Sequence, residues 1–358
     1  MQYTRLGNTG LKVSRLCLGA MTFGFKFRNI GAVGQDDANI MVKKAYEFGI
    51  NFFDTADMYS FGQSEEILGN ALKELNAPRE KFVIATKVRS PLSEEAMKGT
   101  GDINNAGLSR KHIMESCNNS LKRLKTDYID LYQVHGWDSS CEMEETLEVL
   151  NDLVRQGKVL YPGVSNWSAR HIMKALYLAK AKNFSRFVSL QAYYSLAGRD
   201  LEHELLPLCN EEGLGVLPWS PLSGGFLTGK YTRQNPKPAG ARRSEFNFPP
   251  IDERSYDAID VLSEIAKHKN ISIPQASLAW LLAQKGVTSV IIGANKMSQL
   301  EDNLKSSEVS MTNEEITKLS DTTKPKKLYP QWMIEWQNER RSLNPDELNK
   351  NIEIFNRY

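Results

Sequence analysis

Four polar side chains lie at or just beyond the ends of three apolar runs of the sequence, and their chemical types suit proton transfer. Asp54 lies near the end of INFFDTA, the run that begins at Ile50, and Tyr59 follows five residues later. Lys87 lies near the end of FVIATKV, and His135 ends YIDLYQVH. The reference pKa of tyrosine is about 10, so a neighbouring ammonium is needed to favour the phenolate and ease loss of the proton. These residue types therefore predict a site in which Tyr59 acts as a proton donor.

The chemistry that uses such a donor is reduction of a carbonyl group. A carbonyl carbon that accepts hydride leaves alkoxide charge on its oxygen, which needs a positioned acid near neutral pH. In this scheme Asp54 keeps Lys87 charged and oriented, and His135 donates to the carbonyl oxygen. Each residue also has an ordinary structural interpretation. Asp54 would form an Asx turn and Tyr59 would be a rim aromatic, while Lys87 would be a solvated strand end and His135 a core histidine. Their occurrence together, in this order, favours the catalytic interpretation.

Residues so far apart in the chain converge only if the strands that carry them end at one edge. Short apolar runs rich in β-branched residues alternate with longer segments of helical period, which is typical of βα units. Eight candidate strands begin at Val13, Ile50, Phe82, Tyr128, Lys158, Phe187, Leu214 and Val287. The sequence therefore predicts an α/β fold, a (β/α)8 TIM barrel, in which the C-terminal ends of the strands share one rim.

The remaining segments predict how the barrel is completed. Long loops are expected at the C-terminal rim over residues 21–35, 90–106 and 223–251. We predict a single domain over residues 1–358, with residues 326–358 as a C-terminal tail that packs on the barrel. Ser109 is the expected N-cap of a helix within SRKHIMESCNNSLKRL. An open, doubly wound sheet is the alternative, but its GxGxxG signal is absent and Gly19 precedes AMTFG.

The composition argues against several other classes of protein. The 358 residues include 45 basic and 43 acidic side chains, and the formal charge of +2 gives no overall reason to bind nucleic acid or anionic lipid. No window approaches the roughly eighteen apolar residues that a membrane span needs. The 4 cysteines are scattered and form no CxxC pair, so neither a zinc site nor a disulfide framework is expected. We expect a cytoplasmic protein without a metal and leave its oligomeric state open.

The segments FDTADMY, ATK and the strand ending in VH resemble the active-site tetrad of the aldo-keto reductase superfamily, in its bacterial-type branch related to the potassium-channel β-subunits. The likeness covers nearly the whole predicted barrel. It implies that Tyr59 is the general acid and that Lys87 tunes the pKa of Tyr59. It also implies that Asp54 is the partner of Lys87 and that His135 orients the carbonyl. The implied activity is reversible, NADPH-dependent reduction of a small-molecule aldehyde or ketone.

The same resemblance implies residues that hold the nicotinamide half of the cofactor. Its carboxamide needs donors and acceptors, which are expected from Ser165, Asn166 and Gln191. Trp219 falls where the family stacks an aromatic ring on the nicotinamide. The loop SPLSGGFLTGKY resembles the segment that straps the pyrophosphate, with contacts from Ser220, Leu222 and Lys230. This loop also nearly matches a P-loop, but Tyr231 replaces the hydroxyl residue that magnesium needs, so we reject nucleotide hydrolysis.

The segment IIGANKMSQLEDN resembles the part of the family that binds the adenosine ribose and its 2'-phosphate. The residues implied there are Gly293, Lys296, Gln299, Asp302 and Asn303. Lys296 supplies the fixed positive charge that a 2'-phosphate requires. Members of this branch commonly carry Arg where this sequence has Asn295 and Gln299. NADPH is therefore the predicted cofactor, and NADH stays open.

The sequence leaves the substrate and two other functions open. Aromatic residues of the rim loops and the tail either wall an apolar pocket or pack under the loops: Phe23, Phe25, Phe27, Trp137, Tyr329, Trp332 and Trp336. Arg28, Arg89 and Arg199 are candidates for meeting an anionic substrate, and the sequence singles out none of them. The main alternative function is a regulatory, cofactor-binding subunit with little turnover. Another is an aldolase or isomerase that uses Lys87 as a Schiff-base nucleophile.

Overall fold

A parallel sheet of eight strands forms the centre of the molecule, as predicted. The computed structural model describes residues 1–26, 32–239, 243 and 247–339. Its strands are β1 (Tyr3–Arg5), β2 (Lys12–Ser14), β3 (Leu16–Gly19), β4 (Phe52–Asp54), β5 (Val83–Val88), β6 (Ile129–Val134), β7 (Val159–Ser165), β8 (Ser189–Tyr193), β9 (Gly215–Trp219) and β10 (Val290–Ile292). Their order in the sheet is β10-β3-β4-β5-β6-β7-β8-β9. A parallel bridge between Val216 and Val287 joins the two edges, so the sheet is a barrel and the open-sheet alternative is excluded.

Helices follow the barrel strands, and most of them cover the outside of the sheet. They are α1 (Gln35–Glu47), α2 (Gln63–Glu74), α3 (Glu94–Met97), α4 (Arg110–Leu124), α5 (Met143–Arg155), α6 (Ala169–Lys182), α7 (Leu205–Glu212), α8 (Arg254–Lys269), α9 (Ile273–Ala283), α10 (Met297–Lys305), α11 (Asn313–Thr322) and α12 (Gln331–Glu339). The predicted cap of α4 is confirmed, because Ser109 Oγ accepts from the backbone N–H of His112. Ile113 and Cys117 of α4 are buried, so its apolar stripe faces the sheet.

The antiparallel hairpin of β1 and β2 closes the N-terminal end of the barrel. The hairpin was not predicted, and the first barrel strand, predicted to begin at Val13, begins at Leu16. The hairpin turn packs closely on the starts of β8 and β9. Gly7 has a φ of +55°, and a Cβ there would lie 2.6 Å from the backbone oxygens of Val188 and Gly213, so the position requires glycine.

The barrel interior above the hairpin is filled by apolar side chains. One cluster of buried residues combines the hairpin with the inward positions of the strands: Leu6, Val13, Cys17, Phe52, Val83, Ala85, Leu131, Leu217 and Ile291. Alternate residues of a strand point to opposite faces, so the intervening positions pack against the helices instead. The lower barrel is therefore a packed, mainly apolar core, and the ionisable residues singled out in the sequence lie at the C-terminal rim.

Long connections follow the C-terminal ends of the strands, as predicted. The segment 90–106 contains the short helix α3, and the segment 223–251 begins with a 3-10 turn at Ser223–Thr228. Parts of the segments 21–35 and 223–251, including Phe27 and Arg28, lie outside the described residues. In the tail, Gln331 of α12 hydrogen-bonds His203 Nδ1 at 3.0 Å. Residues 340–358 lie outside the described part, so the packing of the complete tail and the single-domain assignment stay predictions.

Candidate active site

The four predicted catalytic residues are carried by neighbouring strands at one end of the barrel. Asp54 ends β4, and Lys87 of β5 pairs in register with Gln133 of β6. His135 directly follows β6, and Tyr59 begins a 3-10 turn after β4. Adjacent strands lie about 4.8 Å apart, so side chains from these ends reach one another. The structure thus brings together the residues that the sequence singled out.

Lys87 and Asp54 form a buried ion pair. Nζ of Lys87 lies 2.5 Å from Oδ1 of Asp54 and also donates to the carbonyl oxygen of Thr55 at 2.7 Å. The two side chains are 0% and 4% exposed. Burial alone lowers the pKa of Lys87, but the Asp54 carboxylate and the Tyr59 phenol outweigh burial and raise that pKa. Lys87 is therefore an ammonium group throughout the neutral range.

The second oxygen of Asp54 is held by two glutamines. Oδ2 accepts from Nε2 of Gln133 at 3.0 Å and from Nε2 of Gln191 at 2.8 Å. Gln133 was not selected from the sequence, although it is a polar residue inside the apolar run YIDLYQVH and lies on the same strand face as His135. Because both oxygens are bonded, the carboxylate that fixes Lys87 has a single orientation.

Tyr59 lies against both the ammonium and the imidazole. Nζ of Lys87 is 5.0 Å from the centroid of the phenol ring, and the ring of His135 lies 5.7 Å away at 78°. Burial raises the pKa of Tyr59 above its usual value, while the charge of Lys87 and a hydrogen bond with it act in the opposite direction. Burial prevails, so the ammonium limits the rise without reversing it. The phenol is consequently protonated at neutral pH, as a proton donor must be.

His135 is held in the neutral form. Burial and then the positive charges of Lys87 and Arg89 keep the pKa of His135 well below its usual value. Its Nδ1 is buried and has no hydrogen-bond partner among the residues that the structure describes. A neutral imidazole carries one donor nitrogen and one acceptor nitrogen. His135 can therefore donate a hydrogen bond to a carbonyl oxygen without bringing a charge.

We predict that the imidazole of His135 titrates well below the usual range of histidine, because burial disfavours the imidazolium and protonation would add a third positive charge beside Lys87 and Arg89. Histidine-selective isotope labelling and NMR measure this directly, and the resonance lost in His135→Gln assigns the signal. In the urea-unfolded protein the same imidazole should titrate with a midpoint of about pH 6.5. A native midpoint close to the unfolded one would contradict the neutral assignment.

The residues predicted for the nicotinamide carboxamide adjoin the tetrad. Ser165 of β7 pairs in register with Gln191 of β8, the residue that also bonds Asp54. Asn166 donates through Nδ2 to the carbonyl oxygen of His135 at 3.0 Å, and its Oδ1 accepts from Nε1 of Trp219 at 3.1 Å. Ser165 Oγ is buried and has no hydrogen-bond partner among the described residues. These groups suit a carboxamide, because the buried hydroxyl of Ser165 still needs a hydrogen-bond partner.

The backbone of the loop after β9 is strained at Ser220. Ser220 has a φ of +49°, and its Oγ accepts from the N–H of Gly224 at 3.0 Å. The carbonyl oxygen of Leu222 accepts from the N–H of Gly225 at 2.9 Å. Lys230 is exposed beyond this turn. The Trp219 ring contacts Phe248 of the following loop, at 5.9 Å and 14°.

The residues predicted for the adenosine half gather after β10. Gly293, Lys296 and Gln299 are exposed, and Lys296 is the N-cap residue of α10. Asn303 donates to the carbonyl oxygen of Gly293 at 3.3 Å. The two carboxylate oxygens of Asp302 accept from Ser272 Oγ at 2.6 Å and from Gln275 Nε2 at 2.7 Å. Asp302 therefore fixes α10 to the first turn of α9, which the sequence did not indicate.

Comparison with known proteins identifies the family of this barrel. The family model of the Aldo/keto reductase family matches residues 15–323. The chain belongs to the aldo/keto reductase family. It is 35% identical to a versiconal hemiacetal acetate reductase of Aspergillus parasiticus, over 92% of this chain and 99% of that protein. An uncharacterized oxidoreductase, YrpG, of Bacillus subtilis is 38% identical over 90% and 95%. A probable voltage-gated potassium channel subunit beta of rice, Oryza sativa, is 36% identical over 91% and 98%.

Membership of the aldo/keto reductase family sets the class of chemistry. These proteins are oxidoreductases that act on small-molecule carbonyl compounds with a nicotinamide cofactor. The described residues of this aldo/keto reductase fit such a cofactor, since the unsatisfied Ser165 hydroxyl and the Asn166 amide lie beside the tetrad. Within the described residues, no helix is long and apolar enough to cross a membrane.

Proposed function

We propose that the chain is an NADPH-dependent reductase of aldehydes or ketones, with Tyr59 as general acid and the reverse oxidation of alcohols open to it. The observation that carries the proposal is the chain of contacts from Asp54 through Lys87 to Tyr59, with neutral His135 at its side. The reduced nicotinamide supplies the hydride. His135 donates to the carbonyl oxygen, and Tyr59 delivers its hydroxyl proton as alkoxide charge forms there.

The test is the loss of reduced-nicotinamide absorbance when the protein is mixed with NADPH and a panel of aldehydes and ketones. We expect saturable turnover with at least one class of carbonyl compound. Reaction with the matching alcohol and the oxidised cofactor measures the reverse direction. Absence of turnover in both directions across the panel would refute the proposal.

The preference for NADPH is proposed from Lys296, whose exposed ammonium lies where a 2'-phosphate is expected. Lys296→Met should weaken NADPH binding about tenfold, or about 1.4 kcal/mol, and leave NADH binding unchanged, because only NADPH carries the extra phosphate. Quenching of tryptophan fluorescence reports both affinities. Lys305→Met, in the last turn of the same helix, is the matched control. If the wild type binds NADH at least as tightly as NADPH, the assignment to Lys296 is wrong.

A regulatory, cofactor-binding function is the second candidate. It is favoured by the similarity to the rice protein named as a probable potassium channel subunit beta. Negligible turnover over the carbonyl panel, tight cofactor binding and co-purification with a membrane protein would support it. The complete tetrad supports turnover instead.

A Schiff-base function of Lys87 has little support. A nucleophilic lysine must lose its proton, and the Asp54 carboxylate raises the pKa of Lys87 against the effect of burial. The ammonium is also held by two acceptors, Asp54 and the Thr55 carbonyl. Borohydride should therefore trap no carbonyl compound on Lys87.

A further inference from the structure

Arg89 has an unusual backbone conformation at the rim of the site. It follows β5 directly, two residues after Lys87, and has a φ of +148°. A residue other than glycine at positive φ costs about 1–3 kcal/mol and persists where its surroundings impose it, often at functional sites. Here the carbonyl oxygen of Arg89 accepts from the N–H of Gly107 at 2.7 Å. The rim loop therefore holds Arg89 in this conformation.

The side chain of Arg89 lies across the segment that follows His135. Nε of Arg89 donates to the carbonyl oxygen of Trp137 at 3.0 Å. A Cβ on Gly136 would lie 3.4 Å from Cδ and 3.5 Å from Nε of Arg89, at ordinary contact distance, so the side chain of Arg89 runs directly past Gly136. Because β5 and β6 pair in register up to Val88 and Val134, Arg89 and His135 are the next neighbours across the pair. The backbone of Arg89 therefore lies beside that of His135, and the charge of Arg89 contributes, after burial and Lys87, to the low pKa of the imidazole.

The backbone carbonyl of Trp137 accepts from Arg89, and the ring of the same residue packs in an aromatic cluster. The Trp137 ring stacks on His171 at 3.9 Å and 8°, and meets Trp167 edge-on at 4.8 Å and 84°. Such contacts restrict the movement of the residue. Arg89 is therefore pre-organised before any substrate binds, which reduces the ordering required on binding.

The charge of Arg89 is not neutralised by the protein that surrounds it. Arg199, by contrast, pairs with Glu202 at 2.7 Å, and Arg123 pairs with Glu65 at 2.6 Å. Among residues 1–26, 32–239, 243 and 247–339, Arg89 has no carboxylate partner, and its terminal nitrogens make no hydrogen bond. With Nε bonded to Trp137, the edge formed by Nη1 and Nη2 stays available. That edge matches the two oxygens of a carboxylate.

The geometry points to Arg89 as the residue that selects carbonyl substrates carrying a carboxylate. The inference rests on the proposed function, in which Tyr59 and His135 meet the carbonyl oxygen. Arg89 then binds the carboxylate of the same molecule through two parallel hydrogen bonds. Of the three arginines that the sequence left open, Arg199 is committed to Glu202 and Arg28 lies outside the described residues.

The experiment compares carboxybenzaldehyde with its uncharged carbamoyl analogue, using the full-length protein and NADPH. We expect kcat/KM to favour the carboxylate about 10-fold to 100-fold in the wild type, the usual effect of a hydrogen-bonded charge pair in a protected site. Arg89→Met should bring the ratio close to one. Arg89→Lys should give an intermediate ratio, because it keeps the charge and loses the planar fork.

The matched control removes an arginine far from the rim. Arg155 is exposed in the last turn of α5, at the opposite end of the barrel. Arg155→Met should keep the wild-type ratio, so a change in Arg89→Met alone excludes an effect of net charge. A wild-type ratio near one, or a ratio that survives in Arg89→Met, would overturn the inference.

A binding measurement separates this inference from the proposed function. Benzoate and benzamide are titrated into the protein with oxidised cofactor, and tryptophan fluorescence is recorded. We expect benzoate to bind at least about tenfold more tightly than benzamide in the wild type and equally weakly in Arg89→Met. If no carbonyl compound of the panel is turned over in either direction, the proposed function fails, while the benzoate titration still decides the role of Arg89. Equal binding of benzoate by wild type and Arg89→Met would exclude that role.

Discussion

Tyr59→Phe should lower kcat for aldehyde reduction about a thousandfold, equivalent to about 4 kcal/mol, and leave the Kd for NADPH unchanged. The phenylalanine ring fills the same space against Lys87 and His135, so only the hydroxyl is lost. That hydroxyl acts when alkoxide charge develops, which is a property of the transition state alone. Because kcat and kcat/KM should fall together, the effect belongs to chemistry rather than to substrate binding.

The control for this substitution is Tyr177→Phe, which removes the hydroxyl of a tyrosine 67% exposed on α6. It should match the wild type in kcat and in cofactor affinity. Thermal unfolding of both variants tests whether the fold is intact. Undiminished reduction by Tyr59→Phe would remove Tyr59 from the mechanism, whatever the other residues do.

Lys87→Met should abolish most turnover and lower the free energy of unfolding by about 3–5 kcal/mol. The substitution leaves the Asp54 carboxylate buried with only the amides of Gln133 and Gln191 as partners. A buried charge without its counter-ion is the cause of the expected loss of stability. Urea denaturation followed by circular dichroism measures this loss, and single-turnover kinetics at saturating NADPH measure the loss of chemistry.

Two further variants separate stability from catalysis at Lys87. Asp54→Asn combined with Lys87→Met removes both charges, so much of the stability should return while turnover stays lost. Lys44→Met breaks the Lys44–Glu301 pair, which is 3.2 Å long and about half exposed, and should change stability by less than about 1 kcal/mol. Recovery of turnover in the double variant would contradict the role given to Lys87.

The barrel and its tetrad were predictable because both depend on pattern. A parallel barrel places the end of every strand at one rim, so an ionisable residue that closes an apolar run is assigned a position without coordinates. Asp54, Lys87 and His135 satisfy this rule, and Tyr59 follows at a fixed distance along the chain. The family model then confirmed the class of protein.

The remaining features depend on contacts that the sequence pattern does not encode. The strands β1 (YTR) and β2 (KVS) have 3 residues each and are mostly polar, so unlike the equally short β4 and β10 they lie in no apolar run, and the hairpin was missed. The bonds of Asp302 to α9 depend on how two helices pack. The direction of the Tyr59 pKa shift depends on whether burial or the ammonium dominates, which only the three-dimensional surroundings decide. Arg89 stood out only through its backbone angle and the course of its side chain.

The closed base of the barrel bears on the order of events during turnover. In the part of the chain that the structure describes, the hairpin and the apolar cluster above it fill the end opposite Asp54, Lys87 and His135. Reactants and products then enter and leave at the C-terminal rim. A molecule bound nearer to the rim delays the dissociation of a molecule bound deeper in the barrel. Escape through this common opening, rather than hydride transfer, then sets the maximal frequency of the catalytic cycle whenever the chemical step is fast.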